Sequence, residues 1–174
     1  IAIRIPVVSF HPSRGQRRIW NKNTDLELSS LPLEFHEEHY QLYQRYQATR
    51  HSGSSMDTDD REKYMRFFSA DGLDSRLVEF RYAEKLLCVA IIDWLPAGLS
   101  SMYTFFDPEY SSRGLGVYTI LWQIMKAREI GLPHVYLGYW INDCDKMSYK
   151  TRYRPYELFL RQQWHMIDKI DPAV

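Results

Sequence analysis

Between Arg76 and Phe106 the sequence leaves room for little except strands. Arg76 to Tyr82 alternates apolar and polar side chains, the period of a strand with one covered face. Lys85 to Leu95 is mostly apolar, so both of its faces need cover. Gly98 to Phe106 reads as a third strand. Asp107-Pro108 stops it, because the residue before a proline is pushed away from helix and the proline nitrogen donates no hydrogen bond. After a glycine-containing link, Val117, Ile120, Leu121, Ile124 and Met125 mark one face of an amphipathic helix. Gly131-Leu132-Pro133 closes that helix, and His134 to Ile141 is the next strand. This order predicts an α+β fold, a mixed sheet flanked by helices.

The first half is less regular. Ile1 to Phe10 alternates well enough for a strand, which Pro6 demotes to an edge or a bulge. His11 to Arg18 reads as a turn entering a short helix, with Ser13 as N-cap and Gln16 as its capping-box partner. Leu33 to Arg50 predicts a Tyr-rich helix, since Phe35, Tyr40, Tyr43 and Tyr46 recur at near-helical spacing. His51 to Asp60 predicts a loop, Arg61 to Ser69 a shorter helix, and Asp71-Gly72 a turn. There is no repeat and no linker. The 174 residues therefore suit one domain with a sizeable core.

Charge narrows the function. The 22 basic and 22 acidic residues cancel. Zero net charge argues against a sequence-indifferent coat on nucleic acid and so against a DNA partner, yet a local patch can still act. One such patch opens the chain: Arg4, Arg14, Arg17, Arg18 and Lys22 precede the first acid. Arg14, Arg17 and Arg18 share a short helical segment and are candidates to grip phosphates, with ordinary surface charge as the alternative. The cysteines, Cys88 and Cys144, form no metal-type cluster and suit a reduced setting. No apolar run approaches the roughly 20 residues that span a bilayer, and the start has no signal-peptide pattern. The cytoplasm, with no membrane partner, is the expected location. The chain does not begin with Met, which fits a fragment or a trimmed product.

Gly138 to Pro155 is the most suggestive stretch for function. It packs Tyr139, Trp140, Tyr149 and Tyr153 among Lys146, Lys150, Arg152 and Arg154. Cations beside flat rings suit the end of a nucleic acid, where phosphates need charge and bases need a stacking surface. The plain alternative is a solvated loop with a few core aromatics. Ser111 to Gly116 lies between a strand and a helix, where backbone N–H groups can meet an anion. Acetyltransferases of the GNAT class place a Gly-x-Gly loop there for the CoA pyrophosphate. Gly114 and Gly116 match it, while Ser111 stands where an Arg or Gln is usual. A loop needing glycines for tight geometry is the alternative. Cys144 sits between Asp143 and Asp145, which oppose a thiolate, so packing or surface placement is expected. Asp57, Asp59 and Asp60 read as a solvated loop before a cation site, and no metal is expected.

Several blocks, in order, resemble the aminoacyl-tRNA–protein transferases of the N-degron pathway. They are Arg4 to Val7, Pro12 to Arg18, Tyr40 to Tyr46, Leu77 to Phe80, Tyr103 to Pro108, Leu115-Gly116, Tyr136 to Ile141, Cys144 to Lys150 and Arg154-Pro155. The resemblance runs from Arg4 to about Glu157. Val135 to Ile141 and Met56-Asp57 are similar to the bacterial aspartate/glutamate leucyltransferase branch, with the arginyl-transferases as neighbours. The resemblance implies a GNAT-like core that uses no CoA, a charged tRNA as donor, and a protein with N-terminal Asp or Glu as acceptor. Family members also carry an N-terminal region with cysteines, associated in some with an iron–sulfur cluster. This chain begins after where those cysteines would fall, so no cofactor is expected within it.

In such a transfer the acceptor's α-amine attacks an ester that is already activated. That amine has a reference pKa near 7.7 to 8.0, so much of it is neutral at cytoplasmic pH. Orientation can supply roughly 7 to 11 kcal/mol, and a donor to the developing oxyanion supplies more. Arg76 and Arg154 are candidates to hold the acceptor carboxylate, with Lys146 and Lys150 as point-charge alternatives. Tyr103, Phe105, Tyr139 and Trp140 are candidates to seat the terminal adenosine and donor side chain. Glu79, Asp107 and Tyr149 are candidates to take a proton or polarise the carbonyl. Trp140 and Arg154 are expected to face one shared cavity. A CoA-dependent N-acetyltransferase and a non-catalytic RNA-binding module are the competing readings.

Overall fold

In chain order the described elements are β1 (Ala2–Pro6), α1 (Arg14–Lys22), β2 (Glu27–Pro32), α2 (Glu37–Arg50), α3 (Asp59–Met65), β3 (Asp74–Tyr82), β4 (Lys85–Leu95), β5 (Gly98–Phe106), α4 (Leu115–Glu129), β6 (His134–Tyr139), β7 (Tyr156–Leu160) and β8 (Gln163–Ile167). Short 3-10 stretches cover Arg66–Phe68, Pro108–Arg113 and Asp145–Arg152. The structure, a computed structural model, describes residues 1–50, 59–69, 72–142 and 144–168. The 51–58 stretch with Met56 and Asp57, the Asp59 and Asp60 side chains, Asp71 and Asp143 lie outside what is described.

The strands form one eight-stranded mixed sheet in the order β2-β3-β4-β5-β6-β1-β7-β8. Only β5 and β6 run parallel; the other neighbours are antiparallel. β4 explains its own composition. Cys88, Ala90 and Ile92 face a core shared with Leu115, Tyr118, Leu121 and Ile124 of α4. Val89 and Ile91 face a second core with Tyr40, Leu42, Tyr43 and Tyr46 of α2 and Tyr64 of α3.

The Ser13–Gln16 capping box is present. Gln16 N–H donates to Ser13 Oγ at 3.2 Å and Ser13 N–H to Gln16 Oε1 at 2.8 Å. α4 ends as its glycine requires. Gly131 takes φ +75°, its N–H donates to the Arg128 carbonyl and Leu132 N–H to that of Ala127, the paired bonds of a Schellman turn.

Other expectations change. β1 is an inner strand and not an edge, because Pro6 is its last residue and β7 pairs only at Ile3 and Arg4, where no donor is missing; its pairing with β6 does shift register, but between Ala2 and Arg4 and not at Pro6. α2 starts at Glu37 rather than Leu33, since β2 runs through Pro32. Met125 is 45% exposed and leaves the inner face of α4, where Thr119 and Gln123 sit instead. β6 ends at Tyr139.

Candidate active site

β5 and β6 are paired only from Gly98 to Ser100. Beyond that point β5 continues beside β4 alone while β6 continues beside β1. The sheet splays there and leaves a cleft of about 610 Å³. Tyr46 and Thr49 of α2 line one wall, Ser101 to Thr104 and Phe106 of β5 the floor, and Gly114 to Val117 with Ile120 the α4 end. Tyr149 and Tyr153 close the cleft opposite them. Eight of the sixteen described lining residues bear a hydroxyl, and none of them carries a charge.

Two backbone features shape this floor. Ile92 pairs with Ser101 and Ile91 with Tyr103, so Met102 is the extra residue of a β-bulge. Gly114 caps α4 at φ +66°, and its carbonyl accepts the Val117 and Tyr118 N–H groups at 3.0 Å each. The N–H groups of Leu115 and Gly116 precede any intrahelical partner and stand at the mouth of the helix. A Cβ at Gly114 would lie 3.1 Å from Ile19 Cδ1, so the glycine also seats α1. This is the tight-geometry reading of the Gly114–Gly116 loop.

The proposed site residues divide between cleft and framework. Tyr103 and Tyr149 line the cleft. Tyr103 is fixed by Gln47, whose Nε2 donates to its hydroxyl at 2.7 Å, and by the Phe67 ring 4.9 Å away. Phe105 is wholly buried against Tyr43 and Tyr64 and belongs to the core. Trp140 is turned inward, only 8% exposed, while neighbouring Tyr139 is 71% exposed. Arg154 donates to the Asp168 carbonyl at 3.1 Å and lies over Tyr156. Neither Trp140 nor Arg154 lines the cleft, so the expectation of one cavity shared by these two side chains is corrected: an irregular segment gives no period from which to read inside from outside.

Arg76 pairs with Asp74 at 2.7 Å and stacks on Trp94, two strands from β5. Lys146 is exposed. Lys150 is buried, and its Nζ donates to the Tyr139 carbonyl at 2.6 Å; burial lowers its pKa. Glu79 is buried in β3 among His39 and Arg81, and Asp107 is buried as the cap of the turn after β5. Asp107 accepts from Glu109 N–H at 3.1 Å and faces Lys85 Nζ at 3.3 Å. Both carboxylates are thus engaged outside the cleft lining. Arg14, Arg17 and Arg18 are all exposed on α1.

Ser101 and Thr49 escape sequence reasoning as site residues, whereas Ser111 lines the cleft as part of the loop already singled out. The faint signal for Ser101 is the adjacent polar pair Ser100-Ser101 inside a strand, where strict alternation would keep one of the two apolar.

Residues 38–160 match the family described as "Arginine-tRNA-protein transferase, C terminus". The aspartate/glutamate leucyltransferase of Chromobacterium violaceum is 48% identical over 164 residues, covering 94% of this chain and 68% of that protein. The enzyme of that name in Nitrosospira multiformis is 46% identical over 170 residues, covering 98% and 68%. Among solved structures, L-PGS from Bacillus licheniformis matches with a TM-score of 0.57 at 10% identity, over 83% of this chain and 46% of that one. The chain thus spans less than half of that structure, and the likeness is one of fold. The sheet is of the GNAT-like type that the resemblance implies.

Proposed function

The chain belongs to the family of arginine-tRNA–protein transferase C-terminal domains, and from that premise we propose that it moves a leucyl group from charged tRNA to the N-terminal Asp or Glu of an acceptor protein. The product is an acceptor marked for degradation. One observation carries the choice of donor: no described residue lining the cleft is charged. An arginyl donor would bring a guanidinium needing a carboxylate partner, and a charge left without one in such a site costs several kcal/mol. A leucyl side chain needs only apolar cover, which Met102, Phe106, Leu115, Val117 and Ile120 supply.

The rest of the chemistry follows from positioning. The ester is already activated, so the amine needs alignment rather than a covalent relay or a cofactor. The acceptor carboxylate finds support at the start of α4, where Leu115 and Gly116 line the cleft and the positive end of the helix dipole favours an anion. Tyr149 and Tyr103 offer rings to the terminal adenosine. Arg14, Arg17 and Arg18 supply phosphate contacts on the neighbouring α1. Charged tRNA as donor places the reaction in the cytoplasm.

The test supplies radiolabelled Leu-tRNA or Arg-tRNA together with peptides beginning Asp, Glu or Ala. Leucine entering only the acidic peptides is expected. Arginine entering instead overturns the donor assignment, and label entering the Ala peptide equally overturns the acceptor assignment.

A further inference from the structure

The inner face of α4 carries polar side chains where apolar ones would pack. Thr119 and Gln123, one turn apart, are fully buried. Thr119 satisfies itself by donating from Oγ1 to the Gly116 carbonyl at 3.0 Å. Gln123 behaves differently. Its Nε2 donates to the Thr119 carbonyl at 3.2 Å and to Ser101 Oγ on β5 at 3.3 Å. A carbonyl has no proton to give, so the atom it meets is the amide nitrogen and not the amide oxygen. Both hydrogens of Nε2 are then engaged, and Ser101 Oγ must accept in this contact. The Ser101 hydroxyl hydrogen is left to point elsewhere.

The open space beside Ser101 is the cleft. Ser101 is half-buried, lines the floor, and immediately precedes Met102, the extra residue of the bulge. The other end of Gln123 has no comparable explanation: its Oε1 is buried without a hydrogen-bond partner among the described residues. Such burial opposes folding, and an apolar residue of the same size would avoid it. Packing therefore does not account for a glutamine here, whereas holding Ser101 does.

We propose that Ser101 donates a hydrogen bond to the ester carbonyl oxygen of the charged tRNA end as that oxygen gains negative charge, with Gln123 as the positioning residue that keeps the Ser101 proton turned into the cleft. The inference rests on the leucyl-transfer reading. The acceptor nitrogen forms a bond to the carbonyl carbon, and the π electrons of the carbonyl move onto its oxygen. Ser101 stabilises that oxygen without giving up its proton. Collapse restores the carbonyl, breaks the bond to the ribose oxygen, and leaves an amide. The surplus proton of the amine leaves on the released ribose hydroxyl.

The test combines kinetics of the intact protein with binding of two leucyl-adenosine analogues, a tetrahedral phosphonate ester and a planar amide. Ser101→Ala should lower kcat by about 100-fold with KM for tRNA little changed, the usual effect of removing one oxyanion donor. It should weaken phosphonate binding by a similar factor and leave the planar amide unaffected. Ser101→Thr should restore most of the rate. Gln123→Leu should lower kcat by less while leaving Tm unchanged or higher, which a packing role would not produce. A Ser101→Ala enzyme with wild-type kcat, or with equal losses for both analogues, overturns the proposal and leaves leucyl transfer standing. A wild-type protein that transfers no leucine overturns the underlying reading, and this inference with it.

Discussion

His39 Nε2 lies 2.5 Å from Glu79 Oε1, and both side chains are almost wholly buried. The pair pins the first turn of α2 to the middle of β3, and α2 carries Tyr46 and Thr49 into the cleft wall. Arg81 joins from the same strand, donating to Glu79 at 2.8 Å and to Glu38 at 2.6 Å. Burial holds the His39 ring below the ordinary imidazole range, so Nε2–H of the neutral ring donates to Glu79. Arg81, and after it His39, holds the Glu79 carboxyl at about 2, outweighing burial, which acts in the opposite direction.

Acid should therefore release α2. Glu79 titrates near 4.5 in the unfolded chain and at about 2 when folded. Its contribution is complete above pH 4.5 and is lost as pH falls toward 2, because only the unfolded chain takes up the proton in that window. His39 acts earlier with the same sign: below 6.5 the unfolded ring gains a proton that the buried ring resists. Thermal unfolding followed by circular dichroism should show Tm falling below pH 6.5 and more steeply below 4.5. Glu79→Gln should lose about 1–3 kcal/mol at neutral pH and show a shallower acid limb. A variant with the wild-type acid limb would remove Glu79 from the account.

The seam between β5 and β6 makes a second prediction. Gly98 pairs with His134 at the start of the short parallel ladder. A Cβ there would be driven into the His134 carbonyl and would stand 2.8 Å from Tyr136 Cε2. Gly98→Ala should destabilise by about 3 kcal/mol, the upper range for an inserted methyl group that the backbone must move to accept. Gly15→Ala is the matched control. Its added Cβ meets only Ser13 Oγ, at 3.9 Å, within a helix, so it should be neutral or stabilise by up to about 1 kcal/mol. Urea midpoints that shift alike in both variants would reject the steric argument.

Thiol labelling separates the cysteines. Cys88 is completely buried in β4, and burial pushes its thiol well up. Cys144 is only half-buried, at the entry to the 3-10 stretch before Arg152. Brief treatment of the native protein with a maleimide should give one adduct, at Cys144, and denaturation should add the second. Peptide mass mapping reads the outcome, and rapid native modification of Cys88 would mean that the central sheet opens.

What the sequence reveals depends on whether the signal is local. The capping box needs only Ser13 and Gln16, and the limits of β4 and β5 follow from hydrophobic runs that end in turns, so each is legible. The β7–β8 hairpin is not. It turns on Arg161 and Gln162, at φ +49° and +66°, without the Gly or Asn that such a turn normally shows. β2 is a polar edge strand ending in Pro32, with almost no apolar face to read. In the cleft, Tyr103 and Tyr149 stand out because aromatics do so in any context. Ser101 gains its meaning only from Gln123, a helix away, and no spacing rule brings those two together.

The exposed face of α1 makes the last prediction. Gln16, Ile19, Trp20 and Asn23 turn toward the protein body: Gln16 Nε2 donates to the Arg152 carbonyl at 3.2 Å, beside Tyr153, and Asn23 Nδ2 donates to the Arg113 carbonyl at 2.8 Å, beside Gly114. Helical geometry then sends Arg14, Arg17, Arg18 and Lys22 outward, on a face adjoining the rim of the cleft. A cationic face at that place suits the phosphates of a tRNA arm whose 3′ end enters the cleft. Replacing Arg14, Arg17 and Arg18 by Gln should weaken tRNA binding whatever its sequence. It should also flatten the plot of log affinity against log salt by about one unit for each arginine that meets a phosphate. Tm should change little, because none of these side chains is buried, and kcat at saturating tRNA should be retained. Fluorescence anisotropy across a salt series measures the slope directly; equal slopes for the wild-type and substituted proteins would move the tRNA contact to another face.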